Sequence, residues 1–126
     1  MKSFKKYFII PATPGEVYLA LTNPLTIQLW TGTPAIMSTE PDSTFSLWDD
    51  SITGTNISFE KDKKIVQHWD FGDQSEPSVV TIKLHEHPKG TSVELHHTNI
   101  PDEAWSEITE GWEDTYFASL IEFYTP

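Results

Sequence analysis

Toward the end of the chain, apolar residues recur at intervals of three and four: Trp105, Ile108, Trp112, Tyr116, Leu120 and Phe123. That spacing lines one face of an α-helix and predicts a single long helix over 102–124. At about 1.5 Å per residue it would measure roughly 35 Å, enough to cross a small domain. Seven acids (Asp102, Glu103, Glu107, Glu110, Glu113, Asp114 and Glu122) fall off the stripe, and the segment holds no Lys or Arg. A helix divided in this way needs an apolar surface to lie against.

The preceding chain supplies one. Residues 4–10 read as a first strand with Phe4, Phe8 and Ile10 on one face. Thr13-Pro14-Gly15-Glu16 then carries a helix N-cap, a proline at the first helical position and the acid of a capping box. Asn23-Pro24 repeats the cap and proline, so two short helices are expected over 13–22 and 23–30. Neither is long enough to be stable alone, and both must dock, as a cradle under one end of the long helix. From residue 35 the apolar period changes from 3.6 to 2. Six further strands are expected, over 35–38, 43–48, 52–59, 64–71, 79–86 and 91–99. The joints Asp49-Asp50-Ser51, Lys61-Asp62-Lys63 and Pro88-Lys89-Gly90 are short, which implies antiparallel hairpins. A slip of parity within 52–59 predicts a bulge at 54–56, and 72–77 reads as a polar loop. The whole is one α+β domain over 1–126.

Composition narrows the function. The net charge is −11, every basic residue is Lys, and there is no Arg. This weighs against nucleic acid and against an anionic membrane surface, both of which are bound through clustered cations. No apolar run approaches the roughly 18 residues of a membrane span. The N-terminus lacks a cleavage site after its short apolar run, and the chain has no cysteine. A cytoplasmic setting is therefore the expectation.

Several local motifs agree with a known family. They are Ala20-Leu21-Thr22-Asn23-Pro24 leading to Trp30, and Phe45-x-Leu47 followed by Asp49, Ile52 and Gly54. Lys64-Ile65-Val66-x-x-Trp69-x-Phe71 follows, then Gly90-Thr91 before Val93-x-Leu95-x-His97. Ile100-Pro101 and Gly111-Trp112 with Tyr116-Phe117 complete the series. In these residues, which span nearly the whole chain, the sequence resembles the activator of heat-shock-protein-90 ATPase homologues. These are relatives of the START and birch-pollen-allergen helix-grip proteins. The resemblance implies a seven-stranded curved antiparallel sheet wrapped around the long C-terminal helix, with the two short helices between the first and second strands. Asp42-Ser43-Thr44, Asp50 and Asn99 stand where the family favours glycine, and Asp70 stands where it favours a basic residue. The eukaryotic activators carry a further N-terminal domain that engages the chaperone, whereas most stand-alone relatives imply a small-molecule pocket.

Five histidines invite a metal reading, which strand geometry opposes. A hairpin closed at His87–Gly90 would pair Leu84 with Val93, Ile82 with Leu95 and Val80 with His97. His85 and His96 would then lie on the outer face about 13 Å apart, too far to share an ion. No metal or cofactor is expected. His97 points inward with Val93 and Leu95, where a hydrogen bond to a neighbour such as Tyr116 is the simplest expectation. Gln67 also faces inward without an evident partner. The inward positions expected to line a cavity are Trp30, Phe45, Leu47, Ile57, Gln67, Trp69, Ile82, His97, Trp112, Tyr116 and Leu120. The expected function is non-enzymatic binding of a small apolar or amphipathic ligand. The first alternative is a chaperone-regulating module that docks through the acidic helix face. The second is a cyclase- or dehydratase-like enzyme using His97 with Tyr116.

Overall fold

The computed structural model describes residues 1–72 and 74–126. Asp73, in the loop expected over 72–77, lies outside the described residues. Strand β1 (Lys2–Ile10) leads into helices α1 (Pro14–Thr22) and α2 (Pro24–Thr31). Strands β2 (Thr44–Leu47), β3 (Ile52–Glu60), β4 (Lys64–Trp69), β5 (Ser78–His87) and β6 (Gly90–Ile100) follow. They form one antiparallel sheet in the order β1-β6-β5-β4-β3-β2.

The helix starts follow from local chemistry. The Glu16 N–H donates to Thr13 Oγ1 at 3.2 Å, and the Thr13 N–H donates back to Glu16 Oε1 at 3.0 Å. Those bonds hold the Glu16 carboxyl below its usual range. Asn23 caps α2 by accepting from the Thr26 N–H at 3.0 Å. The β5–β6 hairpin has the expected register, with Leu84 opposite Val93, Ile82 opposite Leu95 and Val80 opposite His97.

The sheet has six strands rather than seven. At 35–38 only Ile36 pairs, through one bridge to Ser46. Two residues on, the Ser38 carbonyl accepts from the Asn56 side-chain amide at 3.1 Å, a bond that satisfies it without a sheet ladder. The bulge in β3 also falls later than expected, between Asn56 and Ser58. Ile57 becomes the extra residue, and Asn56 takes the fully buried place. Gly54 permits a close approach here, since a Cβ on it would lie 2.0 Å from the His68 carbonyl oxygen and 2.8 Å from the Phe45 ring.

The C-terminal rod keeps one helical sense but changes pitch. A 3-10 turn (Asp102–Ala104) leads into α3 (Trp105–Gly111), a π-helical turn (Trp112–Tyr116) and α4 (Phe117–Tyr124). The wide turn shifts the apolar stripe by one residue. Trp112, Tyr116, Phe117 and Leu120 are buried, Tyr124 packs in part, and Phe123 turns outward at 40% exposure. Tyr124 Oη donates to the Glu16 carbonyl at 3.1 Å and ties the rod to the α1–α2 cradle. Phe8 of β1 stacks on Phe117 at 4.3 Å between ring centres. Phe45, Ile65, Val80, Ile82, Val93 and Leu95 complete the sheet side of the core. No helix among the described residues is long and apolar enough to cross a membrane.

Candidate functional site

Between sheet and rod, the space expected to be hollow is filled with rings. Trp69 stacks on Trp112 at 4.6 Å, Trp112 on Phe117 at 5.7 Å, and Trp30 meets Tyr116 edge-on at 5.2 Å. The indole N–H groups of Trp30 and Trp69 and the Gln67 amide within this packing are paired. Trp30 Nε1 donates to the Ala20 carbonyl at 2.7 Å. Trp69 Nε1 donates to Gln67 Oε1 at 3.1 Å, and Gln67 Nε2 donates to Asn56 Oδ1 at 3.0 Å. Asn56, brought inside by the bulge, is the partner that Gln67 lacked in the sequence.

His97 is also fully committed. Trp112 Nε1 lies 3.0 Å from its Nδ1, and Ser78 Oγ lies 2.7 Å from its Nε2. An indole N–H can only donate, so Nδ1 must accept and Nε2 carries the proton. Nε2–H then donates to Ser78 Oγ, whose own hydroxyl reaches the Thr98 carbonyl at 3.2 Å. Burial, with a smaller push from His96, holds the His97 pKa down to about 3, so the ring is neutral. Its partners are Trp112 and Ser78, not Tyr116. On the outer face His85 bonds Glu94 at 3.1 Å, and His96 lies opposite Thr81. Among the described residues no group of three or more His, Asp or Glu is placed to hold a metal ion.

A cleft of about 710 Å³ opens beside this packed interior, where the rod passes the β2–β3 turn. Its walls are Trp48, Ile52, Trp69, Ile108, Trp112 and Tyr116. Glu107, Glu110 and Asp114 form an acidic rim, and Ser51, Gly111 and Thr115 complete the lining. Tyr116 is 5% exposed and lines the cleft; its hydroxyl makes no hydrogen bond to a described side chain or backbone group, and it is not one of the closed-off unpaired polar atoms, which among the described residues are Thr33 Oγ1 and Gln74 Nε2. Burial pushes its pKa above the ordinary phenol range, so it stays a neutral donor and acceptor. The turn opposite is strained: Trp48, Asp49 and Asp50 have φ of 49°, 55° and 66°. The left-handed region costs a residue with a Cβ roughly 1–2 kcal/mol, and for a side chain as bulky as Trp it is a true outlier. Asp50 accepts from Ser46 Oγ, which helps to hold the turn. Strain of this kind and π-turns both concentrate at functional sites.

Of the eleven expected lining residues, the cleft brings together Trp69, Trp112 and Tyr116. Phe45, Leu47, Ile82 and Leu120 are core. Trp30, Gln67 and His97 are buried behind the cleft, and Ile57 sits on the bulge, outside the core cluster. Trp48, Ile52, Ile108 and the acidic rim were missed. Strand parity after Leu47 points Trp48 outward, and only the left-handed backbone turns it back against Tyr116 at 5.9 Å between ring centres.

Residues 11–124 match the sequence profile of the family described as activator of Hsp90 ATPase homolog 1-like protein. The chain belongs to that family. The Hsp90 co-chaperone AHA1 of Saccharomyces cerevisiae is 31% identical over 121 residues, covering 93% of this chain and 33% of its own length. The activator of 90 kDa heat shock protein ATPase homolog of Dictyostelium discoideum is 31% identical over 104 residues, or 27% of its length. The chain thus spans about a third or less of these relatives. In fold it resembles an HSP90 activator from Plasmodium falciparum, with a TM-score of 0.84 and 24% identity over 94% of this chain and 92% of that one. It likewise resembles the Aha1 dimer of Colwellia psychrerythraea, with a TM-score of 0.84 and 17% identity over 98% and 96%. These likenesses show an α+β helix-grip fold in which a curved antiparallel sheet faces a C-terminal helix.

Proposed function

We propose that this family member is a non-catalytic binding domain that holds a small apolar or amphipathic molecule in the cleft beside the π-turn. The Tyr116 hydroxyl carries the reading. It belongs to a residue that lines a cleft with aromatic walls and a volume suited to a small ligand, where one polar group in an apolar space can orient a guest. Catalysis by His97 with Tyr116 finds no support, because both ring nitrogens of His97 are held by other residues. The test is an NMR screen of the full chain against neutral, cationic and anionic amphipathic molecules. The expected result is saturable shifts of the Trp48 indole and the Tyr116 ring by at least one class. Absence of such shifts across the panel would overturn the reading.

A second reading is favoured by the match of 93% of this chain to part of an Hsp90 co-chaperone. In it, the seven acids of the rod, all exposed, dock a basic chaperone surface. Stimulation of Hsp90 ATPase that weakens with salt supports this reading; absence of stimulation or of binding at low salt contradicts it.

A further inference from the structure

We propose that the cleft selects cations, and that its ligand is a small organic amine, protonated or quaternary, carried on an apolar body. The inference rests on the cleft being a binding site and adds the charge of the guest. Trp48, Trp69, Trp112 and Tyr116 present four aromatic side chains to one space, with Trp112 and Tyr116 at 4.7 Å and Trp69 and Tyr116 at 6.5 Å between ring centres. Aromatic faces attract cations through their quadrupole as well as apolar groups through burial.

The rim then decides between the two. Glu107, Glu110 and Asp114 have no ion-pair partner among the described residues, whereas Glu113, on the same rod, is neutralised by Lys6 at 2.6 Å. None of the eight lysines lines the cleft. An anionic head group would meet three carboxylates and no cation. A cationic head gains the carboxylates and the ring surface left open to the cleft, chiefly that of half-buried Trp48, since Trp112 stacks on both Trp69 and Phe117, and the net charge of −11 adds longer-range attraction at low salt. The Tyr116 hydroxyl remains free to accept from a protonated amine, a bond that a quaternary head would forgo.

The test is a titration of the full chain, read by tryptophan fluorescence, with phenethyltrimethylammonium, its uncharged carbon isostere and phenylpropionate. At low salt the cation is expected to bind at least about fivefold more tightly than the isostere, with phenylpropionate weakest. The combined variant Glu107→Gln, Glu110→Gln and Asp114→Asn should weaken the cation roughly threefold or more and leave the isostere unchanged, which also shows that the cleft is intact. Equal or tighter binding of the isostere, or a cation unaffected by the variant, overturns the charge preference while leaving the cleft as a site. Failure of all three probes overturns both.

Discussion

The His97 shell and the Tyr116 cleft share the rings of Trp69 and Trp112, and they treat polar atoms in opposite ways. Around His97 every donor has an acceptor and the imidazole is kept neutral. Four residues after Trp112, the Tyr116 side chain is almost as well covered, but it lines the cleft and its hydroxyl has no partner among the described residues. The backbone differs too. In the shell His97 and Ser78 stand on regular strands and only Trp112 comes from the π-turn, while the cleft lies between that turn and a run of left-handed residues. Buried polar atoms that are mutually satisfied serve the fold, and backbone strain beside a hydroxyl that lines the cleft marks the part of the molecule open to a guest.

The largest effect that would break this comparison lies in the shell. Trp112→Ala should cost about 3–5 kcal/mol in chemical denaturation, through lost burial and the bond removed from His97. A cost below about 1 kcal/mol would mean that the shell does not hold the fold.

Acid comes next. The His97 pKa falls from 6.5 to about 3 on folding, so the unfolded chain binds a proton that the folded one refuses. Stability from this group is intact above pH 6.5 and is lost as pH falls from there toward 3. By pH 5 the loss should reach about 2 kcal/mol. In denaturant melts at both pH values, His97→Gln should flatten this dependence; an unchanged slope would assign it elsewhere.

A smaller effect sharpens the cleft side. Gly111 has helical φ and ψ of −61° and −39°, and nothing lies within 4 Å of a Cβ built there. Gly111→Ala should raise stability by about 0.5–1 kcal/mol in the same melts, as expected for a half-buried helical glycine with open space at its Cβ. A loss would show that the π-turn needs the glycine.

The legible parts were those written in short-range chemistry. Caps at Thr13 and Asn23 and the turn at Pro88-Lys89 fixed the helix starts and the β5–β6 register. Glycine-preferring positions filled by Asp42, Asp50 and Asn99 all adopt positive φ, at 68°, 66° and 57°. The π-turn was hidden because the rod carries aromatic doublets, Tyr116-Phe117 and Phe123-Tyr124, so an aromatic residue meets the core in either register. Trp48 was hidden by the turn that reverses its strand parity. Gln67 looked unpaired because the bulge lies at Ile57, not before Asn56. Each of these three misses is a one-residue displacement that a periodic pattern cannot see.

The most direct test is Tyr116→Phe, measured for both unfolding free energy and affinity for phenethylammonium, whose N–H groups can donate to the hydroxyl. Removing a hydroxyl with no partner among the described residues should leave stability within about 0.5 kcal/mol while altering affinity for this amine several-fold. A loss of about 2 kcal/mol or more in stability with affinity unchanged would place Tyr116 in the structural shell and contradict the division drawn between the two regions.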